Sequence, residues 1–177
     1  MSRVRLDATD IRILDALQRH GRLSKARLAG IVNLSPTPAW SRLARLEAVG
    51  LVRGYHADIA IARIADVTQV VVTLSLARHR RADFDRFEAY VRDCDAVTDC
   101  IATGGGMDYV LTFVCPDLAA FQLEMDAMLA AELGVERYFT YIVTREVKRA
   151  RPTLSRLIES GDQSERSAIR ARTDRPD

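Results

Sequence analysis

Apolar residues recur at helical spacing near the start of the chain. Ile13, Leu14 and Leu17 form one stripe, Leu6 and Asp7 stand before it, and Gly21 offers a stop, which predicts a helix over Leu6–His20. A second helix is predicted after Ser24, a suitable N-cap, with Leu28, Ala29 and Val32 on its buried side. Ser35 and Pro36 then open a third. Serine suits an N-cap, and proline suits a first turn in which no amide donor is needed. This helix runs to about Val49 and is ended by Gly50. Ala39, Leu43 and Leu46 form its apolar stripe, while Thr37, Pro38, Ser41, Arg42 and Arg45 lie on or beside the opposite face. Leu51 to Asp58 alternates and turns around Gly54 in the manner of a short β-wing.

The second half changes period. Thr68 to Leu76 alternates, with Val70, Val72, Leu74 and Leu76 on one side. Phe84, Phe87 and Val91 mark a helix. Strands are predicted over Val97–Thr103 and Met107–Cys115, joined across Gly104, Gly105 and Gly106. Pro116 and Asp117 open another helix with Leu118, Phe121, Met125 and Met128 inward, and Arg137–Glu146 reads as the last strand. Strand, helix, strand, strand, helix, strand is the ferredoxin-like βαββαβ order. It requires an antiparallel sheet with helices on one face, the other being solvated or covered by a partner. The fold class is therefore α+β. Residues 1–58 form one domain, 59–66 a linker and 67–158 a second domain, and the polar, mixed-charge residues 159–177 read as a disordered tail.

Charge adds a direction to this division. Residues 1–63 carry 11 Lys/Arg against five Asp/Glu, whereas residues 64–150 carry nine against 14, although the whole chain has a net charge of only +2. A basic module beside an acidic one points to a polyanionic partner for the first. No apolar run approaches the roughly 20 residues of a membrane span, and the first residues lack the apolar stretch of a secretory signal, so a cytoplasmic location is expected and no membrane partner. Cys94, Cys100 and Cys115 have no metal-ligand spacing, and with His20, His56 and His79 far apart no metal site is expected; the thiols read as core-filling.

A third helix with a polar outer face can enter the major groove, its side chains meeting base edges while flanking cations hold phosphates. The candidate DNA-binding residues are Ser35, Thr37, Pro38, Ser41, Arg42 and Arg45, with Lys25 and Arg27 of the second helix on phosphates. Arginine at such a position either grips guanine or neutralises phosphate. A solvated face of an ordinary helical subdomain carries the same periodicity, and Trp40 either touches DNA or packs beside the core stripe. The glycine run is no phosphate loop, because it leads into a strand, where such loops lead into a helix N-terminus; a tight strand connection is its simpler reading. No Ser/His/Asp order, carboxylate pair or nucleotide fingerprint supports an enzyme. A stand-alone metabolite sensor whose first domain docks protein is a further alternative.

The run from Leu6 to Ile59 resembles the DNA-binding domain of the Lrp/AsnC family of transcription regulators. The resemblance rests on Leu34-Ser35-Pro36-Thr37-Pro38, Arg42 with Arg45-Leu46-Glu47, Gly50-Leu51-Val52 and Gly54-Tyr55. It continues through Gly105-Gly106-Met107-Asp108-Tyr109, Thr140-Tyr141 and Glu146-Val147-Lys148, covering about residues 6–158. It implies a winged helix-turn-helix joined to an ACT-like (RAM) ferredoxin-like domain. It also implies a sequence-specific regulator, not an enzyme, that binds double-stranded operator DNA as a homodimer or octamer. No cofactor is implied beyond an amino acid or related effector, and the effector-binding residues carried over are Gly104, Gly105, Met107, Asp108 and Tyr109. Asp108 would pair with an amino group, while amides freed by the glycines would hold a carboxylate; a purely structural turn role for Asp108 competes. Ser41 and Ala44 stand where the leucine-responsive type has basic residues, which predicts a different operator and a weaker salt dependence. Gly106 replaces an acidic or polar residue, which puts the choice of effector in doubt.

Overall fold

The computed structural model describes residues 4–158, so the segment 159–177 read as a disordered tail lies outside the described residues. These residues fall into two units, one of residues up to Asp58 together with those from Arg149 on, the other Ile59–Lys148. The segment 59–66 read as a linker clusters with the second unit and contains a 3-10 turn at Ile61–Arg63.

The first unit holds three helices, α1 (Ala8–His20), α2 (Lys25–Val32) and α3 (Pro36–Ala48). Ile13, Leu28, Val32, Ala39, Leu43 and Leu46 interlock in its core, with Leu6, Leu34, Trp40 and Val52 packed around them. The first helix starts two residues later than its apolar pattern predicts because Asp7 caps it. Asp7 Oδ1 accepts from the amides of Thr9 (2.9 Å) and Asp10 (2.8 Å), and the Asp10 carboxylate accepts from the Asp7 amide (3.1 Å). This is a capping box with aspartate at both ends. Ser24 caps α2 through the Arg27 amide, and Asn33 ends it in the left-handed region at φ 54°.

Ser35 occupies the N-cap of α3, but its hydroxyl caps nothing. An N-cap side chain accepts from the second or third helical amide, and the third helical residue here is Pro38, which has no N–H. The wing also differs from expectation. Residues 51–58 carry no strand pairing, and Tyr55 reaches back to donate from its hydroxyl to Glu47 Oε1 at 2.7 Å. A two-stranded ribbon with no further strand to join is marginal on its own.

The second unit is a four-stranded antiparallel sheet in the order β2-β3-β1-β4, from β1 (Thr68–Leu76), β2 (Val97–Ala102), β3 (Tyr109–Cys115) and β4 (Val135–Ile142). Helices α4 (Arg81–Arg92) and α5 (Leu118–Ala130) supply the crossovers, giving the expected βαββαβ arrangement. The inward side chains of β1 and β3 alternate as predicted and pack with Phe87, Phe121, Met125 and Met128. The last strand begins at Val135, two residues earlier than expected, where a bulge at Ser75/Leu76 lets Ala77 donate to Gly134. It ends at Ile142, short of Glu146, with the Val143 amide making one last bond to the Gln69 carbonyl of β1. The third strand starts at Tyr109, because the two residues before it belong to a turn in which Thr103 bonds the carbonyls of Met107 and Asp108.

After Val135, which packs against the core, every residue of β4 is exposed. On the sheet face away from the helices, Phe139 and Tyr141 (52% and 54% exposed) pair across β1 with Thr73 and Val71, and Ile101 pairs with Val110. Phe139, Tyr141 and Ile101 are exposed apolar side chains on this face.

Candidate nucleic-acid interface and effector segment

Helix α3 presents Thr37, Pro38, Ser41 and Ala44 to solvent, opposite the buried Ala39, Leu43 and Leu46, and Ser35 is exposed at its N-cap. The four helical side chains are short and lie on one stripe, which lets the helix backbone approach a groove closely. Lys25 and Arg27 are exposed at the start of α2. The Lys25 ammonium sits 4.9 Å above the Trp40 ring centroid, a cation–π contact, while Trp40 is half-buried against the first core.

The two arginines of α3 are engaged in a way that periodicity does not reveal. Arg42 Nη1 donates to Asp7 Oδ2 at 2.6 Å and to Asp10 Oδ1 at 3.0 Å, and Arg45 Nη2 donates to Asp10 Oδ2 at 2.5 Å. Asp10 is 2% exposed, whereas the arginine side chains keep 36% and 47% of their surface. Two carboxylates and two guanidiniums thus tie the start of α1 to the middle of α3. Charge-assisted bonds of this kind are stronger than neutral ones. Burial pushes the Asp10 carboxyl up, but the bonds from Arg45, the Asp7 amide and Arg42 outweigh it and hold it below its ordinary value. The Asp10 amide, then Arg42, hold Asp7 low, and Asp7 and Asp10 raise Arg42 in return. The two candidate DNA-binding arginines of α3 are therefore shared with an internal acid pair. An open concavity of about 610 Å³ lies where these groups meet the outer side of α3, lined by Arg5, Leu6, Asp7, Asp10, Pro38, Ser41, Arg42 and Arg45. Sequence reading missed Asp7, Asp10 and Arg5; the Asp-x-x-Asp spacing before an apolar run was the available signal for the first two.

In the second unit the effector residues fall into two groups. Gly104, Gly105 and Gly106 are exposed, with Gly105 at φ +144°, a conformation that favours glycine, and Met107 is half-buried beside them. Arg137 holds this loop, donating from Nη2 to the Gly106 carbonyl (2.9 Å) and from Nε to Ser75 Oγ (3.3 Å). Asp108 and Tyr109 are turned into the unit. Asp108 Oδ2 accepts the Leu76 amide at 2.7 Å and lies 3.1 Å from His79 Nε2, and His79 stacks on Phe84. The Tyr109 ring packs against Phe87, and its hydroxyl donates to Glu88 Oε1 at 3.0 Å; burial and that neighbouring carboxylate push its pKa up. Asp108 is thus a turn residue of the fold, whatever else it does. Replacing it by alanine strips a buried amide of its acceptor, so Asp108→Ala is expected to destabilise this unit by about 1–3 kcal/mol. Urea unfolding checks this. Asp108→Asn, which keeps an acceptor oxygen, should recover most of the loss, and equal stability of all three proteins would contradict the capping role.

Burial raises all three cysteine thiols, Cys100 to about 11, so they are neutral and poor nucleophiles near pH 7.

A helical unit with a groove-sized exposed helix, attached to an antiparallel sheet domain of its own, defines a helix-turn-helix DNA-binding regulator with a separate second module. Comparison with known proteins narrows the class. Residues 6–53 match the family model for winged helix-turn-helix DNA-binding, and residues 69–153 match that for the Lrp/AsnC ligand binding domain. The chain is 42% identical over 152 residues to the transcriptional regulatory protein DoeX of Halomonas elongata, covering 86% of this chain and 96% of that protein. It is 35% identical over 144 residues to the leucine-responsive regulatory protein of Haemophilus influenzae, covering 81% and 87%. Among solved structures, an AsnC family transcriptional regulator from Agrobacterium tumefaciens aligns with a TM-score of 0.77 at 28% identity, covering 83% of this chain and 95% of that one. A transcriptional regulator of Neisseria meningitidis in complex with L-methionine aligns at 0.76 and 34% identity, covering 82% and 94%. The chain belongs to the Lrp/AsnC family: it is a DNA-binding transcription regulator, not an enzyme. Among the described residues, no helix is long and apolar enough to cross a membrane.

Proposed function

We propose that the regulator reads its operator with the exposed stripe Thr37, Pro38 and Ser41 of α3 and with Ser35 at its N-cap, while Lys25 and Arg27 hold phosphates and Arg42 and Arg45 combine bracing of the helix with phosphate contact. The observation that carries this reading is the concavity in which Pro38 and Ser41 adjoin Arg5, Arg42 and Arg45. Small side chains here favour hydroxyl and methyl contacts over guanine-gripping forks.

The regulator works in the cytoplasm as a homodimer or an octamer built from dimers, the exposed apolar side chains Phe139, Tyr141 and Ile101 of the sheet being covered by a second copy. Two recognition helices related by a twofold axis then meet half-sites one DNA turn of ~34 Å, or a multiple of it, apart. An amino acid acts as effector at the loop Gly104, Gly105 and Met107, beside Asp108 and Tyr109. The ligand-binding family match and the methionine-bound relative support an amino acid. Since Asp108 and Tyr109 already have partners, the exposed glycine amides and the His79–Asp108 pair are what a ligand meets first. It acts by binding two assembly or domain arrangements unequally.

A mobility-shift titration on the DNA upstream of the chain's own gene tests the reading, run with and without a panel of amino acids and with the mass of the free protein measured alongside. Retardation at low salt, a change with at least one amino acid, and a mass at two or eight times 19.8 kDa are expected. Failure to retard at low salt would overturn the operator assignment. An inert panel would overturn the effector, and a monomer at those concentrations the assembly.

A further inference from the structure

Asp7 and Asp10 hold the same guanidinium but in different surroundings. Asp10 is buried and Asp7 is 52% exposed, on the rim of the concavity that also contains Pro38 and Ser41. Asp7 divides its oxygens: Oδ1 caps α1, and Oδ2 reaches 2.6 Å to Arg42 Nη1. A phosphate brought to the outer side of α3 therefore meets a carboxylate on the cation it would use. We propose that Asp7 is a built-in competitor of DNA phosphate for Arg42, one that masks this charge in the free regulator and limits its sequence-independent affinity for DNA.

The inference rests on the reading that α3 faces the operator. Its logic is exchange: the buried Asp10 bond keeps Arg42 in place, while the exposed Asp7 bond is weak enough in water to be traded for a phosphate. Sequence-independent binding is almost wholly phosphate neutralisation, so a masked arginine lowers both that affinity and its salt dependence.

The test uses the full chain and a random-sequence duplex, followed by fluorescence anisotropy over a salt series. Asparagine caps helices as well as aspartate, so Asp7→Asn removes the competing charge and keeps the cap. Its affinity is expected to rise about 3–10-fold at moderate salt, with the slope of log K against log[salt] steeper by about 0.9, one phosphate contact. Asp15→Asn, the same charge change on α1 outside the concavity, controls for net charge and should move the slope much less. In an Arg42→Gln background the gain from Asp7→Asn should vanish. Equal slopes for Asp7→Asn and Asp15→Asn would overturn the proposal, as would a gain that persists without Arg42. If the unmodified chain binds no duplex at all, the α3 reading fails and the competitor role with it. Binding by the unmodified chain with no response to Asp7→Asn rejects the competitor alone.

Discussion

Asp10→Ala is expected to lower the stability of the N-terminal unit by about 2–3 kcal/mol, at the low end for breaking a buried ion pair. The carboxylate is 2% exposed and accepts from Arg42, Arg45 and the Asp7 amide, so one truncation removes three bonds and half of a capping box. The full penalty for a stranded buried charge does not apply, because both guanidiniums keep much of their surface in water. For a unit of this size the loss corresponds to roughly 10–20 °C in melting temperature. The chain has one tryptophan, and Trp40 packs against the first core, so its fluorescence reports this unit. A Trp40 transition within about 3 °C of the unmodified protein, beyond what a surface control such as Asp15→Ala shows, would reject the clamp.

The same carboxylates give the transition a pH dependence of definite sign. Asp7 and Asp10 are both held below the ordinary value of 3.8 in the folded unit. In the acid range the unfolded chain then binds more protons than the folded one, so their contribution is complete above that value and is lost as the pH falls through the depressed folded values. The Trp40 melting temperature should be insensitive to these groups near neutrality and drop steeply below about pH 4. In Asp10→Ala the drop should be shallower.

Ser41→Glu should abolish operator binding, with affinity down by about 100-fold or more, while leaving the Trp40 transition in place. Ser41 is exposed on α3 and lines the concavity with Pro38, Arg42 and Arg45. Glutamate is a better helix former than serine, so the fold has no reason to suffer. The new carboxylate would meet DNA phosphates head on and would draw Arg45, one turn along, away from them. Ser41→Ala, which deletes one hydroxyl, should cost at most about tenfold, in the range of a single contact. Parallel titrations on operator DNA decide the matter. If Ser41→Glu binds like the unmodified chain, α3 does not face the DNA through this stripe.

Much of this molecule is local, and local features can be read from a one-dimensional string. The stripe Ile13, Leu17, Leu28, Val32, Leu43, Leu46 and the alternation of β1 and β3 follow from backbone periods of 3.6 and 2, so helices, strands and both cores were legible before any coordinates. So were the βαββαβ order, the basic first half and the exposed short side chains of α3. Where elements began and ended was set by neighbours. Asp7 capped α1 and moved its start, Pro38 removed the donor that Ser35 would have capped, and the bulge at Ser75/Leu76 shifted β4.

The chemistry of the sites was decided in three dimensions. Asp10 and Arg45 are 35 residues apart, as are Asp7 and Arg42, and no periodicity links them until α1 and α3 pack. Likewise Asp108 and Tyr109, which the family resemblance nominates for the effector, bond to Leu76, His79 and Glu88 from β1, the turn after it and α4. The reason is the range of the forces involved. Burial preference and backbone geometry are written into each residue and its near neighbours, whereas the partner of a charge or a hydrogen-bonding group is whichever group the chain brings within 3 Å of it.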